Sequence, residues 1–402
     1  MTKIGRLRSI SNALTNFYPD KSMKRLKYIC YYDSPDSKEE RNIVYSSTTK
    51  LDYIFNALNR VGIGVDIVSF SGIRGEKIRY CKGSCIQIGN NTLRKFPSFT
   101  GSRLISYVSR KLMALCFISW FLIHVKRGEK VGVYHSTGYD GMLVWLKKLT
   151  GCKYIGEIEE IYQHATKLPD KIRRQEWAFI NCCDRYLFST ELLNEKINNS
   201  HKPVLTLYGL YHVEPIVRGK FTDGLIHVVY GGTFDVNKGG AAAAAASAAF
   251  LPSNYHIHIC GFGNQKDTEH IKEIIANVCR NSEAIVTFEG LKKGRDYIEF
   301  IQQCHIGLST QNPLAAFNAT SFPSKVLVYL SNGLKVVSID IPAIRKSKIG
   351  GALDYYQEQT PENIAEAILK ASKKLEDKRL DSRTLLSMLD EEFCKALSHF
   401  IY

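Results

Sequence analysis

Apolar residues recur along this chain in two alternating rhythms. Short β-branched runs are followed by stretches with an apolar residue every three or four positions. Arg25 to Tyr32 (RLKYICYY) predicts a strand. Thr48 to Gly62 (TTKLDYIFNALNRVG) sets Leu51, Ile54, Phe55 and Leu58 on one helical face and ends on glycine, a stop signal for helices. VDIVSF, KVGVYHS, KYIGEIEEIY and RYLFST follow as strands, with helical patterns in GMLVWLKKLTG and PDKIRRQEWAFINCC. The pattern loosens from His201 to Asp223, around Pro203 and Pro215, and reads as a linker. It restarts at LIHVVYGG and runs through YHIHICGFG, TEHIKEIIANVC, AIVTFEG, GRDYIEFIQQC, HIGLST, FPSKVLVYLSNG and LKVVSI. Two helical patterns close it, PENIAEAILKASKKLE and TLLSMLDEEFCKALSHFIY. Strands alternating with helices predict parallel sheets covered on both faces. The expected fold class is therefore α/β, with two doubly wound, Rossmann-like domains over residues 1–210 and 223–383.

Composition fits that picture: 402 residues, 45% hydrophobic and 23% charged, suit a soluble chain with two cores. Eleven cysteines are scattered without a Cys-x-x-Cys pair, which suggests neither a disulfide framework nor a zinc site and fits a reducing cytoplasm. No secretory signal is evident at the N-terminus.

Charge changes the picture more. Of the net +15, residues 1–220 hold 35 lysines and arginines against 19 acids, whereas residues 221–402 hold 19 against 20. Such a field suits nucleic acid, an anionic membrane surface or an anionic substrate. No recognition helix or aromatic–basic interleaving points to nucleic acid. The greasiest run, Leu112 to Val125, is shorter than the roughly 20 residues needed to span a bilayer and has basic flanks. It predicts either a buried helix or one that dips into a membrane surface.

Three loops in the second half have a composition suited to anions. GGTFDVNKGG follows a strand, so that Gly231 and Gly232 permit close backbone approach, Lys238 supplies charge and an alanine-rich helix follows. CGFGN, with Gly261 and Gly263, follows the next strand. NATSFPSKVLVYLSNGLKVVS leads from a small-residue loop into a helix that Ser321 or Ser324 would cap, with Lys325 adding charge.

FPSKVLVYLSNGLKVVS resembles the PSK-x-x-E-Y-L-x-x-G-x-P-V-V segment of family 4 retaining glycosyltransferases of the GT-B fold, of the bacterial surface-polysaccharide type. HVVYGGTFDVNKGG, HIHICGFG, VTFEGLKKGRDYIEFIQQCHIGLS and, in the first half, GCKYIGEIEEIYQ are similar to further segments of that family. The resemblance implies two Rossmann-like domains facing across a cleft. The first binds the acceptor, the second binds the nucleotide-sugar donor, and the final helix, residues 384–402, crosses back to the first. It implies that Gly231, Gly232, Lys238, Gly261, Gly263, Gly290, Leu291, Asn318, Thr320, Ser321, Phe322 and Lys325 line the donor. No metal or other cofactor is expected.

The sequence departs from the family at two positions where acids are typical, now Thr320 and Val328, and Thr233 stands where arginine is frequent. In the first half, His135 ends a strand and is either structural or a charge-stabilising group. Glu157, Glu159 and Glu160 form an acidic knot that either handles a proton and sugar hydroxyls or pairs with Arg173 and Arg174. Lys50, at a helix start, either meets an acceptor phosphate or is solvated. His135, Glu159 and Lys238 are the expected catalytic residues.

The functional expectation is transfer of a sugar, with retention of configuration, to a glycan or lipid-diphosphate-linked acceptor in surface polysaccharide (lipopolysaccharide or capsule) synthesis. The protein would be cytoplasmic and peripheral on the inner face of the cell membrane. The alternative is a non-catalytic GT-B-like partner subunit of another transferase.

Overall fold

A computed structural model describes residues 23–34, 37–165, 168–235, 240–313, 320–376 and 381–402. Two compact units make up the chain. One contains the described residues up to Leu207 together with Glu392–Tyr402, and the other runs from Tyr208 to Glu391.

The strands of the N-terminal unit are β1 (Lys24–Cys30), β2 (Ile63–Ser69), β3 (Arg79–Cys81), β4 (Ser84–Ile88), β5 (Asn91–Lys95), β6 (Ser98–Thr100), β7 (Lys130–Tyr134), β8 (Lys153–Ile158), β9 (Arg185–Phe188) and β10 (Val204–Thr206). Its helices are α1 (Tyr45–Arg60), α2 (Arg103–His124), α3 (Asp140–Thr150), α4 (Tyr162–Ala165), α5 (Asp170–Cys182) and α6 (Glu191–Ile197). Eight strands form one sheet in the order β10-β9-β8-β7-β1-β2-β5-β4, and β3 pairs with β6 apart from it. Only β4 runs antiparallel within the large sheet. Six of the seven residues of β2 are buried, the signature of a strand covered on both faces. Beneath the sheet Phe70, Phe96, Phe117, Trp120, Phe121 and Phe179 belong to one core.

Ser102 starts α2, its hydroxyl accepting from the Ile105 N–H at 3.4 Å. The helix is thus 22 residues long and extends well before the apolar run read from the sequence. Among the described residues it is the one helix long and apolar enough to cross a membrane by length and composition. Met113, Phe117, Trp120 and Phe121 are buried on one side. Elsewhere on it, Leu104 and Ile123 are 71% and 75% exposed, and Tyr107, Leu112, Leu115 and Leu122 are exposed as well.

In the C-terminal unit the strands are β11 (Ile226–Thr233), β12 (Tyr255–Phe262), β13 (Ile285–Gly290), β14 (Ile306–Ser309), β15 (Lys335–Ile339) and β16 (Asp354–Tyr356). The helices are α7 (Gly240–Ala246), α8 (Gln265–Asn281), α9 (Gly294–Gln303), α10 (Ser324–Ser331), α11 (Pro342–Arg345), α12 (Pro361–Ser372) and α13 (Ser382–Ile401), which from Glu392 onward belongs to the N-terminal unit. All six strands are parallel, in the order β13-β12-β11-β14-β15-β16. The chain winds outward from β11 to β13, then restarts on the other side of β11 with β14. That reversal is a topological switch point, where the carboxyl ends of neighbouring strands open a crevice. The equivalent reversal in the N-terminal sheet lies between β1 and β7.

The alanine block forms α7 and a following 3-10 turn, with Ala241, Ala244, Ala245 and Ala248 buried. The stretch read as a linker is more ordered than its composition suggests. Residues 204–206 form β10 against β9, while Tyr208 stacks on Phe322 with ring centroids 5.2 Å apart.

Candidate functional site

Two polar clusters stand out, one at the switch point of each sheet. In the C-terminal unit β11 ends in Gly231-Gly232, and β14 on the other side of the switch ends beside Thr310. A β-carbon on Gly231 would strike the Tyr297 hydroxyl, and one on Gly232 would stand 2.6 Å from the Lys325 ammonium. Only glycine leaves room for both neighbours. Lys325, in the first turn of α10, lies 4.0 Å from the centre of the Tyr230 ring. The structure thus gathers Gly231, Gly232 and Lys325, which are almost a hundred positions apart in sequence.

A tyrosine floor supports this loop. The Gly231 N–H donates to the buried Tyr329 hydroxyl at 2.8 Å, and burial pushes the Tyr329, Tyr297 and Tyr230 phenols up from their ordinary range. All three hydroxyls therefore stay neutral and available as hydrogen-bonding groups. Sequence reasoning gave these residues no role. The one signal was Tyr329 itself, which falls on the tyrosine of the PSK-x-x-E-Y-L pattern.

The other expected donor residues fall into four groups. Gly261 and Gly263 serve packing: Gly261 has φ +149° beside the Gly232 carbonyl, and a β-carbon on Gly263 would stand 2.9 Å from Cβ of Phe234. Gly290, with φ +65°, ends β13, and Leu291 after it is exposed, so both stand at the carboxyl edge of the same sheet. Thr320 is buried, Ser321 is half-buried and Phe322 stacks on Tyr208 just before α10. Lys238 and Asn318 lie outside the described residues. Neither serine caps α10. Pro323 occupies the cap position and no side chain bonds the first turn, because proline's ring precedes Ser324, which is already helical.

In the N-terminal unit His135 follows β7 and is 2% exposed, its Nε2 3.5 Å from Asp140 and 3.6 Å from Glu176. Its ring stacks on Phe179 at 5.7 Å. Burial pushes the Asp140 carboxyl up.

One strand over, at the end of β8, Glu157 and Glu159 share a single cation. Lys50 Nζ lies 2.7 Å from Glu159 and 3.6 Å from Glu157. Two alternatives read from the sequence are overturned here. Lys50 is buried in α1 rather than solvated, and Glu157 and Glu159 pair with it rather than with Arg173, whose partner is Asp170. The physical reason is burial: the Glu157 carboxylate inside the sheet, with half-buried Glu159 just beyond the strand end, needs the nearest buried cation, and α1 supplies it.

The pair splits in behaviour. Glu157 is 1% exposed, and burial, only partly offset by Lys50, pushes its carboxyl up to about 7. Tyr28 donates to it at 2.5 Å. For Glu159 burial also works upward, but Lys50 outweighs it and holds the carboxyl below its ordinary range. Tyr134 donates to Glu159 at 2.8 Å and exchanges a hydrogen bond of 2.8 Å with Ser47. One acid poised near neutrality beside one that stays ionised is an arrangement able to hold and release a proton.

No family model matches the sequence, and no curated protein matches it either. Solved structures do resemble it in fold. The E. coli trehalose-6-phosphate structure bound with UDP-2-fluoro glucose matches with a TM-score of 0.59 at 11% identity, covering 94% of this chain and 99% of that one. The pneumococcal O-GlcNAc transferase GtfA in complex with UDP and GlcNAc matches at 0.57 and 10% identity, over 94% and 99% of the two chains. HepE of Anabaena in complex with UDP matches at 0.59 and 9% identity, over 94% and 100%. Taken with the two largely parallel sheets, these likenesses establish the architecture: the chain has the GT-B fold, built of two Rossmann-like α/β units.

Proposed function

We propose that this protein is a glycosyltransferase that moves a sugar from a nucleotide-sugar donor to a glycan or lipid-linked oligosaccharide acceptor. The observation that carries the reading is the convergence of Gly231, Gly232 and the Lys325 ammonium at the switch point of the C-terminal sheet. Half-buried Gly232 at the strand end lets a ligand approach the backbone closely, and the lysine offers a positive charge to a diphosphate. The UDP-bound neighbours support the same class of donor. As the bond from sugar to diphosphate breaks, negative charge builds on the departing nucleotide. Lys325, and Lys238 from the loop that follows Gly232, are the residues proposed to stabilise it. His135, Lys50 and the Glu157–Glu159 pair it links are assigned to the acceptor side. Retention of configuration, family 4 membership and a role in surface-polysaccharide synthesis rest on the sequence resemblance.

The proposed place of work is the cytoplasmic face of the membrane. Exposed Leu104, Tyr107, Leu112, Leu115, Leu122 and Ile123 share α2 with exposed Arg103, Arg110 and Lys111. An apolar face edged with cations suits an anionic lipid surface.

A second reading, a GT-B-like partner subunit without catalysis, is favoured by one observation. Threonine and valine stand at 320 and 328, where the family pattern places acids, and Thr320 is buried. Calorimetric titration of the full chain with UDP, GDP, ADP and CMP tests both. Binding of one nucleotide that is lost in Lys325→Ala supports the enzyme. A folded protein that binds none supports the subunit.

A further inference from the structure

The C-terminal sheet carries a histidine cluster that the proposed reaction does not use. His227 is the second residue of β11, while His256 and His258 are the second and fourth of β12. Parallel pairing sets His227 opposite His256, so all three share one face of the sheet. Each offers a ring nitrogen, and the three atoms lie within 4.8 Å of one another. His227 and His258 are buried, and Phe221 and Phe300 pack on their rings.

Proton accounting makes the cluster unusual. Asp223 lies 2.9 Å from Nε2 of His227, and Glu289 lies 2.9 Å from Nδ1 of His258. A carboxylate accepts, so each of those nitrogens carries the proton. Thr287 lies 2.8 Å from Glu289 and donates to it; its oxygen therefore accepts from Nε2 of His256, 3.0 Å away. The remaining nitrogens are then bare. Nδ1 of His227 and Nε2 of His258 face each other at 2.8 Å, two lone pairs in contact. Something positive belongs there, either one shared proton or a metal ion.

We propose that it is a divalent metal ion of the zinc class, held by His227, His256 and His258, with Asp223, Glu289 and Thr287 fixing the rings from behind. Imidazole nitrogens suit such ions, and a carboxylate on the far nitrogen is the usual way a ligating histidine is oriented. Metal–nitrogen bonds of about 2.0–2.1 Å in tetrahedral geometry set nitrogens about 3.3 Å apart, so the facing pair opens by about half an ångström on binding. The half-buried His256 side leaves a way in. The ion would clamp the first halves of β11 and β12. Gly231 lies four residues further along β11, about 13 Å at about 3.3 Å per residue, so the site is separate from the donor loop.

The test uses the full chain stripped with chelator and titrated with Zn²⁺ by calorimetry and with Co²⁺ by visible absorption. The expected result is one equivalent of either metal and a Co²⁺ spectrum without thiolate charge-transfer bands, which excludes the eleven cysteines. His256→Ala abolishes stoichiometric uptake, and Glu289→Gln weakens it by about 10–100-fold. Three outcomes overturn the proposal: a folded wild-type protein that takes up neither metal, a thiolate spectrum, or imidazole ¹⁵N resonances that still show a proton shared between His227 and His258 in excess Zn²⁺. The wild-type titration decides the matter even if a variant fails to fold.

Discussion

The ammonium of Lys325 lies 2.6 Å from the point where a β-carbon on Gly232 would stand. Gly232→Ala therefore displaces the far end of a flexible side chain and leaves the fold intact. Lys325→Ala removes the charge outright. Each is expected to weaken nucleotide-diphosphate binding about 10–100-fold, the worth of a hydrogen bond to a charged group, with little change in melting temperature. Calorimetry with the preferred nucleotide, beside a thermal melt, checks both.

Gly261→Ala has the opposite profile. Its φ of +149° is one that side chains avoid, and the new β-carbon would run into the Gly232 carbonyl, which has no room to move. A loss of about 2–4 kcal/mol in denaturant unfolding is expected. An unchanged midpoint would mean that the β11–β12 crossing is looser than described.

Lys50 stands between the buried carboxylate of Glu157 and the half-buried one of Glu159. Lys50→Met is expected to cost about 3–5 kcal/mol, the range seen when a buried charge loses its partner. Lys50→Arg keeps the charge and serves as the control in the same unfolding experiment.

The raised Glu157 carboxyl makes stability depend on pH. Its value of about 7 lies above the ordinary 4.5, so the folded state binds the extra proton between those pH values and stability falls as pH rises through them. Glu157→Gln removes this slope. Compared with wild type, the variant should gain stability on going from pH 5 to pH 8. A constant difference across that range would contradict the shift. The depressed Glu159 acts at lower pH and is common to both proteins.

The α2 face gives a fifth line of test. Leu115→Ser with Ile123→Ser should cut binding to anionic vesicles at least about tenfold, given about 1.5–3 kcal/mol for each apolar side chain buried in lipid. Folding is unaffected, since both residues are exposed. Binding of wild type should also fall with salt. Equal binding of both proteins would remove α2 from the membrane reading.

Much of the C-terminal unit was legible because its elements are short and its signals local. An apolar run ending in Gly231-Gly232 announces a strand with an open end, and PSK announces the helix that carries Lys325. Tyr297 and Tyr329 were not legible as a floor for that loop, since an aromatic residue in a helix reads as core whatever it touches. Lys50 reaches Glu159 across 109 positions, a pairing made by the strand order β8-β7-β1 and invisible to spacing. The histidines were hidden differently. His256 and His258 show the alternation of a strand, but His227 joins them only through the register of β11 on β12.

The division of the chain also orders its synthesis. Helix α13 begins in the C-terminal unit, yet from Glu392 onward it belongs with the N-terminal one, where Tyr53 stacks on Phe393 and Lys130 reaches the Tyr402 carbonyl. The unit begun first on the ribosome is therefore finished last. It waits for about 185 residues after Leu207, roughly ten to forty seconds at about 5–20 residues per second, with its α13 docking surface uncovered.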